Sequence, residues 1–291
     1  MQYTSLKPGL LLIALGLFFT IKTAAQLPDT NATEIIFRGD FNDDFGSENW
    51  KKNWGIEWLQ GTERSSIVYD EKLKKSVLKV AYPQTGVGPG ESGAQFPLVF
   101  RNLPGITEGH FQELYLRYYL QFEPGFDFRL GGKLPGLMGG GDSWSRSGGD
   151  QPDGTNGWTL RLMWRKQGQL VVYAYLPKSS NGNYGSETWG QDLDLDFAAR
   201  PGEWICIEQY INTGTPGNDD GRLKVWINGN LQLNRNDICF RHTANHNGLI
   251  GGCYFSTFHG GNTPDWGPLH NSYARFSNFH IAKTPLKCKQ E

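Results

Sequence analysis

The stretch "WTLRLMWRKQGQLVVYAYLP", residues 158–177, holds two alternating runs on either side of Lys166-Gln167-Gly168. Alternation with a period of two marks a strand with one buried face, so the pattern predicts a β-hairpin. A three-residue loop, a type I turn followed by glycine in the left-handed region, pairs Arg165 with Gln169, Met163 with Val171, Arg161 with Tyr173 and Thr159 with Tyr175. One face then carries Leu160, Leu162, Trp164, Leu170, Val172, Ala174 and Leu176. The other carries Thr159, Arg161, Met163, Arg165, Gln169, Val171, Tyr173 and Tyr175. A two-residue turn would flip one strand against the other and mix apolar with polar positions. The apolar face is core. The opposite face gathers a guanidinium, two phenols and a hydroxyl, an arrangement that ordinary solvent exposure would also explain.

Strand patterns continue outward from the hairpin. "ELYLRYYLQF" (113–122) sets Leu114, Leu116, Tyr118, Leu120 and Phe122 against Glu113, Tyr115, Arg117, Tyr119 and Gln121. "EWICIEQYI" (203–211) and "RLKVWING" (222–229) alternate too, and "CYFSTF" (253–258) and "SYARFSNFHIA" (272–282) complete a strand-rich C-terminal half. No window keeps a helical period, and no internal repeat is present. With 38 Gly, 15 Pro, 17 Phe, 12 Tyr and 10 Trp, the composition suits short strands and tight turns. The expected fold is all-β: a concanavalin-A-like jelly-roll β-sandwich of two antiparallel sheets. Residues 139–157 read as a long surface loop.

The first 25 of the 291 residues read as a secretory leader, with Lys7, an apolar run at 10–19 and the small-residue end Thr23-Ala24-Ala25. The expectation is a secreted, periplasmic or extracellular protein with one domain over 26–291 and no stable membrane insertion once the leader is gone. Loss of Lys7 and Lys22 with the leader moves the formal net charge from -1 to -3. So weak a charge argues against nucleic acid or an anionic membrane as the main partner. Cys206, Cys239, Cys253 and Cys288 permit disulfides in three connectivities, while Cys206 and Cys253 equally suit small buried hydrophobes. Asn31-Ala32-Thr33 is a glycosylation sequon, meaningful where the host glycosylates.

Chemistry concentrates around Lys133 in "FRLGGKLPGLMGGGDSWSRSGG" (128–149) and the polar face of the hairpin. Flanking glycines would bring the backbone of a loop close to a sugar chain, and Pro135 would stiffen that loop; a tight turn with its lysine in water is the plainer reading. Cations beside tyrosines suit elimination on a uronate. Positive charge on the carboxylate stabilises the enolate-like transition state, and nearby cations lower a tyrosine pKa from about 10, freeing a phenolate to take the C5 proton. The same or a second tyrosine returns a proton to the leaving O4. This chemistry calls for no metal and no cofactor.

"GGKLPGL" (131–137), then "TLR" on one strand and "YAY" on the next, resembles polysaccharide lyase family 14, and "YFSTFHGGNTPDWGP" (254–268) is similar to the same pattern. The resemblance spans about residues 95 to 282. It implies β-elimination of alginate or glucuronan on a β-jelly roll without an obligatory metal. By resemblance, Lys133 matches the family's motif lysine, Arg161 a strand arginine, and Tyr173 and Tyr175 the paired tyrosines. Thr159 stands where some members have serine. His259 replaces an expected second aromatic. The implied catalytic set is Lys133, Arg161, Tyr173 and Tyr175, and the implied partner is an acidic polysaccharide. Thr159, Arg117, His259 and Trp144 are the expected substrate-binding residues.

Other constellations read as weaker. Trp189 and Trp266 join Trp144 as candidate sugar-stacking platforms. Asp192, Asp194 and Asp196 in "DLDLDF" would share a strand face as a solvated edge or a calcium site; His242 and His246 lack the helical context for zinc. A glycoside hydrolase built on the aspartates, or a non-catalytic carbohydrate-binding module, is the competing class.

Overall fold

The computed structural model describes Met1 and residues 34–141, 149–179 and 189–288. The expected leader 1–25, the Asn31 sequon and Trp144 lie outside the described residues. Residues Thr33–Glu291 make one compact unit.

The described residues form fourteen strands: β1 (Ile35–Gly39), β2 (Ser65–Asp70), β3 (Lys75–Tyr82), β4 (Ala94–Val99), β5 (Glu113–Phe122), β6 (Gly131–Met138), β7 (Thr159–Arg165), β8 (Gln169–Tyr175), β9 (Gln191–Ala198), β10 (Trp204–Asn212), β11 (Gly221–Ile227), β12 (Asn230–Ile238), β13 (Gly252–Thr257) and β14 (Ser272–Ala282). An eight-stranded sheet runs β12-β11-β10-β5-β14-β3-β2, with β1 also on β14; a six-stranded sheet runs β4-β13-β6-β7-β8-β9. The strand pairings are antiparallel in both sheets. This is the jelly-roll sandwich that the alternating strands predict.

One apolar core lies between the sheets. Leu114, Leu116, Leu120 and Phe122 of β5 meet Leu160, Leu162 and Trp164 of β7 and Leu170, Val172 and Ala174 of β8 in that core. Alternation therefore decides which face of β7 and β8 enters this core, although Thr159, Arg161, Met163 and Val171 on the opposite face are buried as well. β7 and β8 pair in the expected register, Arg161 opposite Tyr173 and Thr159 opposite Tyr175. The turn differs from expectation. Gln167 (φ 59) and Gly168 (φ 81) are both left-handed, and the Gln169 N–H donates to the Lys166 carbonyl. Two consecutive left-handed residues match the strand twist, which a type I turn would splay.

The stretch around Lys133 is also not a loop. It is β6, paired with β7 on one side and β13 on the other. Its glycines answer to neighbouring strands rather than to a ligand. A Cβ on Gly136 would stand 2.1 Å from the Leu160 carbonyl oxygen, and one on Gly132 would stand 2.1 Å from the Trp164 ring. Pro135, unable to donate to a ladder, sits where the β6–β7 register shifts between Leu134 and Gly136. The opposite sheet clamps this bulge. The Tyr118 hydroxyl donates to the Pro135 carbonyl (3.1 Å), the Leu137 N–H donates to Gln209 Oε1 (2.9 Å), and Gln209 Nε2 donates to the Leu160 carbonyl (2.8 Å). Gln209 is fully buried, and a buried amide of this kind is tolerated because its partners are supplied.

Candidate active site

The outward face of the six-stranded sheet carries a cleft of about 760 Å³. Its floor comes from three adjacent strands: Lys133 on β6, Arg161, Met163 and Arg165 on β7, and Tyr173 and Tyr175 on β8. Strand β13 adds Tyr254 and β4 adds Gln95, while Trp189, Phe258, Asn262 and Trp266 form parts of the rim. Among the described residues the lining includes no carboxylate.

Alternation turns these side chains away from the core, and the bulge at Pro135 keeps Lys133 on the same face as Met163, its cross-strand partner. The Lys133 Nζ lies 2.9 Å from Met163 Sδ and 3.4 Å from the centroid of the Tyr173 ring. Desolvation holds the Lys133 amine well below the ordinary lysine range, helped by Arg161 and Arg165 and opposed by Asp192.

Arg161 is 2% exposed. It donates from Nη1 to Ser256 Oγ (3.1 Å) and lies 5.1 Å from the centroid of the Tyr254 ring. Its Nε has no partner, and no carboxylate pairs with it among the described residues. A buried cation costs folding energy unless an anion answers it, so this guanidinium is poised for an incoming one. Arg165, by contrast, is already engaged: Nε and Nη2 donate to Asp192 Oδ2 and Oδ1 at 2.8 and 2.5 Å. Asp192 is thus the ion-pair partner of a cleft residue and stands outside the lining, and Asp194 and Asp196 are exposed. Among the described residues, no three His, Cys, Asp or Glu side chains stand together as a metal site.

The tyrosines correct one electrostatic expectation. Burial raises the Tyr173 pKa, and the neighbouring Tyr175 raises it further; Arg165 and Arg161 pull it down by less. Tyr173 is held as a neutral phenol, because desolvation outweighs the cations. The two rings meet edge to face with centroids 5.3 Å apart, and the Gly149 N–H donates to Tyr175 Oη (3.1 Å).

Lys133, Arg161, Tyr173 and Tyr175 therefore converge, with Trp189 and Trp266 at the rim. Three expected substrate contacts lie elsewhere. Arg117 belongs to the other sheet, where it is 9% exposed and donates to the Leu286 and Lys287 carbonyls. His259 is fully buried among Phe126, Trp164 and Tyr82, with its Nε2 2.8 Å from the Asp127 carbonyl oxygen. Thr159 is fully buried opposite Tyr175 and does not line the cleft. Sequence reasoning missed Gln95, Tyr254, Ser256 and Gln209. Only Gln209 left a local signal: it is the single polar residue on the Ile205, Ile207, Ile211 face of its strand.

Residues 70–279 match the profile of Polysaccharide lyase 14. The chain belongs to that family. The lyase is 28% identical to the marine family 14 alginate lyase of Aplysia kurodai, with 86% of this chain and 99% of that one covered and a TM-score of 0.73. A further alginate lyase, solved as a lysine-and-tyrosine double mutant in complex with an alginate tetrasaccharide, is 25% identical over 89% of this chain and 95% of that one (TM-score 0.63). The endo-β-1,4-glucuronan lyase of Trichoderma reesei, 10% identical over 87% of this chain and 98% of that one with a TM-score of 0.57, shares the fold. Among curated proteins none matches the lyase.

Proposed function

We propose that this lyase cleaves alginate, or a related polyuronate, by β-elimination, with Lys133, Arg161, Tyr173 and Tyr175 as its machinery. The observation that carries the reading is the contact of an easily deprotonated lysine with a neutral phenol beside a buried guanidinium that has no anion. Arg161 takes the uronate carboxylate and spreads the charge that develops as the C5 proton leaves. Lys133, held as a free amine more readily than an ordinary lysine, accepts that proton. Its electron pair forms the C4–C5 double bond as the C4–O4 bond breaks, and the Tyr173 hydroxyl delivers a proton to O4. Tyr175 accepts the Gly149 N–H and braces Tyr173. Trp189 and Trp266 offer apolar faces to neighbouring sugar rings.

The alginate assignment is supported by relatives of 25% identity or more that are alginate lyases. A hydrolase would need two carboxylates at the scissile bond; none lines the cleft among the described residues. Export through the leader at 1–25, with residues 26–291 as one lyase domain, is supported by the Cys206–Cys288 disulfide, a bond favoured in oxidising compartments. No helix among the described residues is long and apolar enough to cross a membrane.

Purified protein incubated with alginate, glucuronan and a neutral glucan tests the reading. Rising ultraviolet absorbance of unsaturated uronate with an acidic polymer is the expected result. New reducing ends without that absorbance would overturn it.

A further inference from the structure

The eight-stranded sheet has its own outward face, on the far side of the core from the cleft, and this face carries a second concavity of about 450 Å³. Outward positions of the strands supply its floor. Trp226 on β11 stands opposite Glu208 on β10, Lys224 stands opposite Tyr210, and Tyr115 on β5 stands opposite Tyr210 from the other side. One wall is the chain segment 285–288, which crosses the sheet without joining it as a strand.

That segment is tied down at three points. Glu208 accepts the N–H groups of Leu286 (2.8 Å) and Lys287 (3.3 Å). Arg117 donates to the carbonyls of the same two residues at 3.2 and 3.0 Å. Cys288 is disulfide-bonded to Cys206. Glu208 and Arg117 are cross-strand partners of opposite charge, 4% and 9% exposed, yet both hydrogen-bond the same dipeptide, while Arg117 Nη2 also lies 2.7 Å from His280 Nδ1. Lys287 is held there at φ 51, a conformation that a lysine keeps only where its surroundings impose it. The clamp thus fixes the backbone from which the Lys287 side chain extends to the concavity.

Apart from Glu208, which holds the 285–288 wall, the polar side chains around the concavity are unengaged among the described residues. Among the described residues the Lys224 and Lys287 ammoniums have no acidic partner, and the Trp226 indole N–H and Tyr115 hydroxyl make no hydrogen bond. An indole face beside two unanswered ammoniums matches a pyranose ring bearing a carboxylate. A neutral sugar would leave both cations without a partner. Nucleic acid calls for a broader basic stripe than two lysines beside Glu208 and Glu113.

We propose that this concavity is a second, non-catalytic site for uronate residues of the acidic polysaccharide. Its ligand class rests on the polyuronate reading above. Two grips on opposite faces let one molecule bridge polymer segments and gain avidity on a polymer that neither site alone supplies.

Affinity electrophoresis through gels containing alginate, glucuronan or a neutral glucan tests this, with Lys133→Ala as the background so that the polymer stays intact. Adding Lys224→Glu or Trp226→Ala is expected to weaken retardation in an acidic gel at least threefold, and Cys288→Ser, which frees the Lys287 wall, to weaken it as well. In otherwise unaltered enzyme, Lys224→Glu should leave kcat/KM on a short uronate oligomer unchanged and lower it on the polymer. Retardation unaffected by both Lys224→Glu and Trp226→Ala, each checked for an unchanged melting temperature, would overturn the site. Equal retardation in the neutral glucan would overturn its uronate chemistry. Failure to form unsaturated product from any polyuronate would remove the catalytic reading, while the retardation series would still decide this one.

Discussion

The Lys133 ammonium stands 3.4 Å from the centroid of the Tyr173 ring, with two guanidiniums for neighbours. The ring face favours the charged amine, by about 0.5–2 kcal/mol in typical cases. Desolvation and the like charges of Arg161 and Arg165 oppose it and win, because the pKa falls well below the ordinary lysine value. Near neutral pH the unfolded chain holds a fully protonated Lys133, so burying this side chain weakens the fold there. Lys133→Met should therefore lower lyase activity by about 10²–10⁴-fold, the range for losing a general base. It should also raise Tm, by about 2–4 °C if the relief is ~1 kcal/mol in a chain of this size. Product absorbance and a thermal melt on the same sample check both; a melt lowered by the substitution would contradict the electrostatic account.

Lys133 also sets the sign of the pH profile. A lysine base works once deprotonated, so kcat/KM, which reports the free enzyme, should rise with pH through a value well below 10.5. Asp192 is the carboxylate whose charge pulls this value up. Asp192→Asn should move the acid limb to lower pH. A limb that stays put in the variant would remove Lys133 as the titrating group.

The two tyrosines should separate kinetically. Tyr173→Phe keeps the ring under the Lys133 amine and deletes the proton for O4, so kcat should fall by about 10²–10⁴-fold with little change in KM. Tyr175→Phe removes the acceptor of the Gly149 N–H. It should lower kcat by less than Tyr173→Phe does, with the far-ultraviolet dichroism intact.

Gly136 is required by backbone proximity. A Cβ there would lie 2.1 Å from the Leu160 carbonyl oxygen, so the strands must part. Gly136→Ala should cost about 1–3 kcal/mol or more, the usual range for overpacking, read as a lower denaturant midpoint. Ala at this position with unchanged stability would mean that β6 and β7 lie farther apart.

His259 makes a prediction opposite to its expected role. Burial lowers its pKa to about 4 from the ordinary histidine value of 6.5. The unfolded chain thus binds the extra proton first, and stability contributed by neutral His259 is lost as pH falls from about 6.5 to about 4. His259→Phe, an aromatic among Phe126, Trp164 and Tyr82, should flatten stability over that window and leave kcat/KM unchanged. A large loss of activity would return His259 to the substrate path.

Much of the fold was legible locally. Alternation over 158–177 named the residues of β7 and β8 that enter the core, because in a half-buried strand the side-chain period follows from backbone geometry alone. It also placed Arg161, Tyr173 and Tyr175 on one face, and the "GGKLPGL" motif added Lys133. Tertiary structure decided the rest. That 131–138 is a central strand depends on Trp164 and the Leu160 carbonyl lying where a side chain would stand, contacts that no local pattern encodes. The bulge that presents Lys133 is held from the other sheet by Tyr118 and Gln209. Arg117 and His259 carry the right chemistry, but one faces the opposite side of the sandwich and the other is enclosed by rings. The pairing of Cys206 with Cys288, and the pKa directions of Lys133 and Tyr173, rest on how distant segments exclude water and bring charges together, and those distances exist only once the two sheets have stacked.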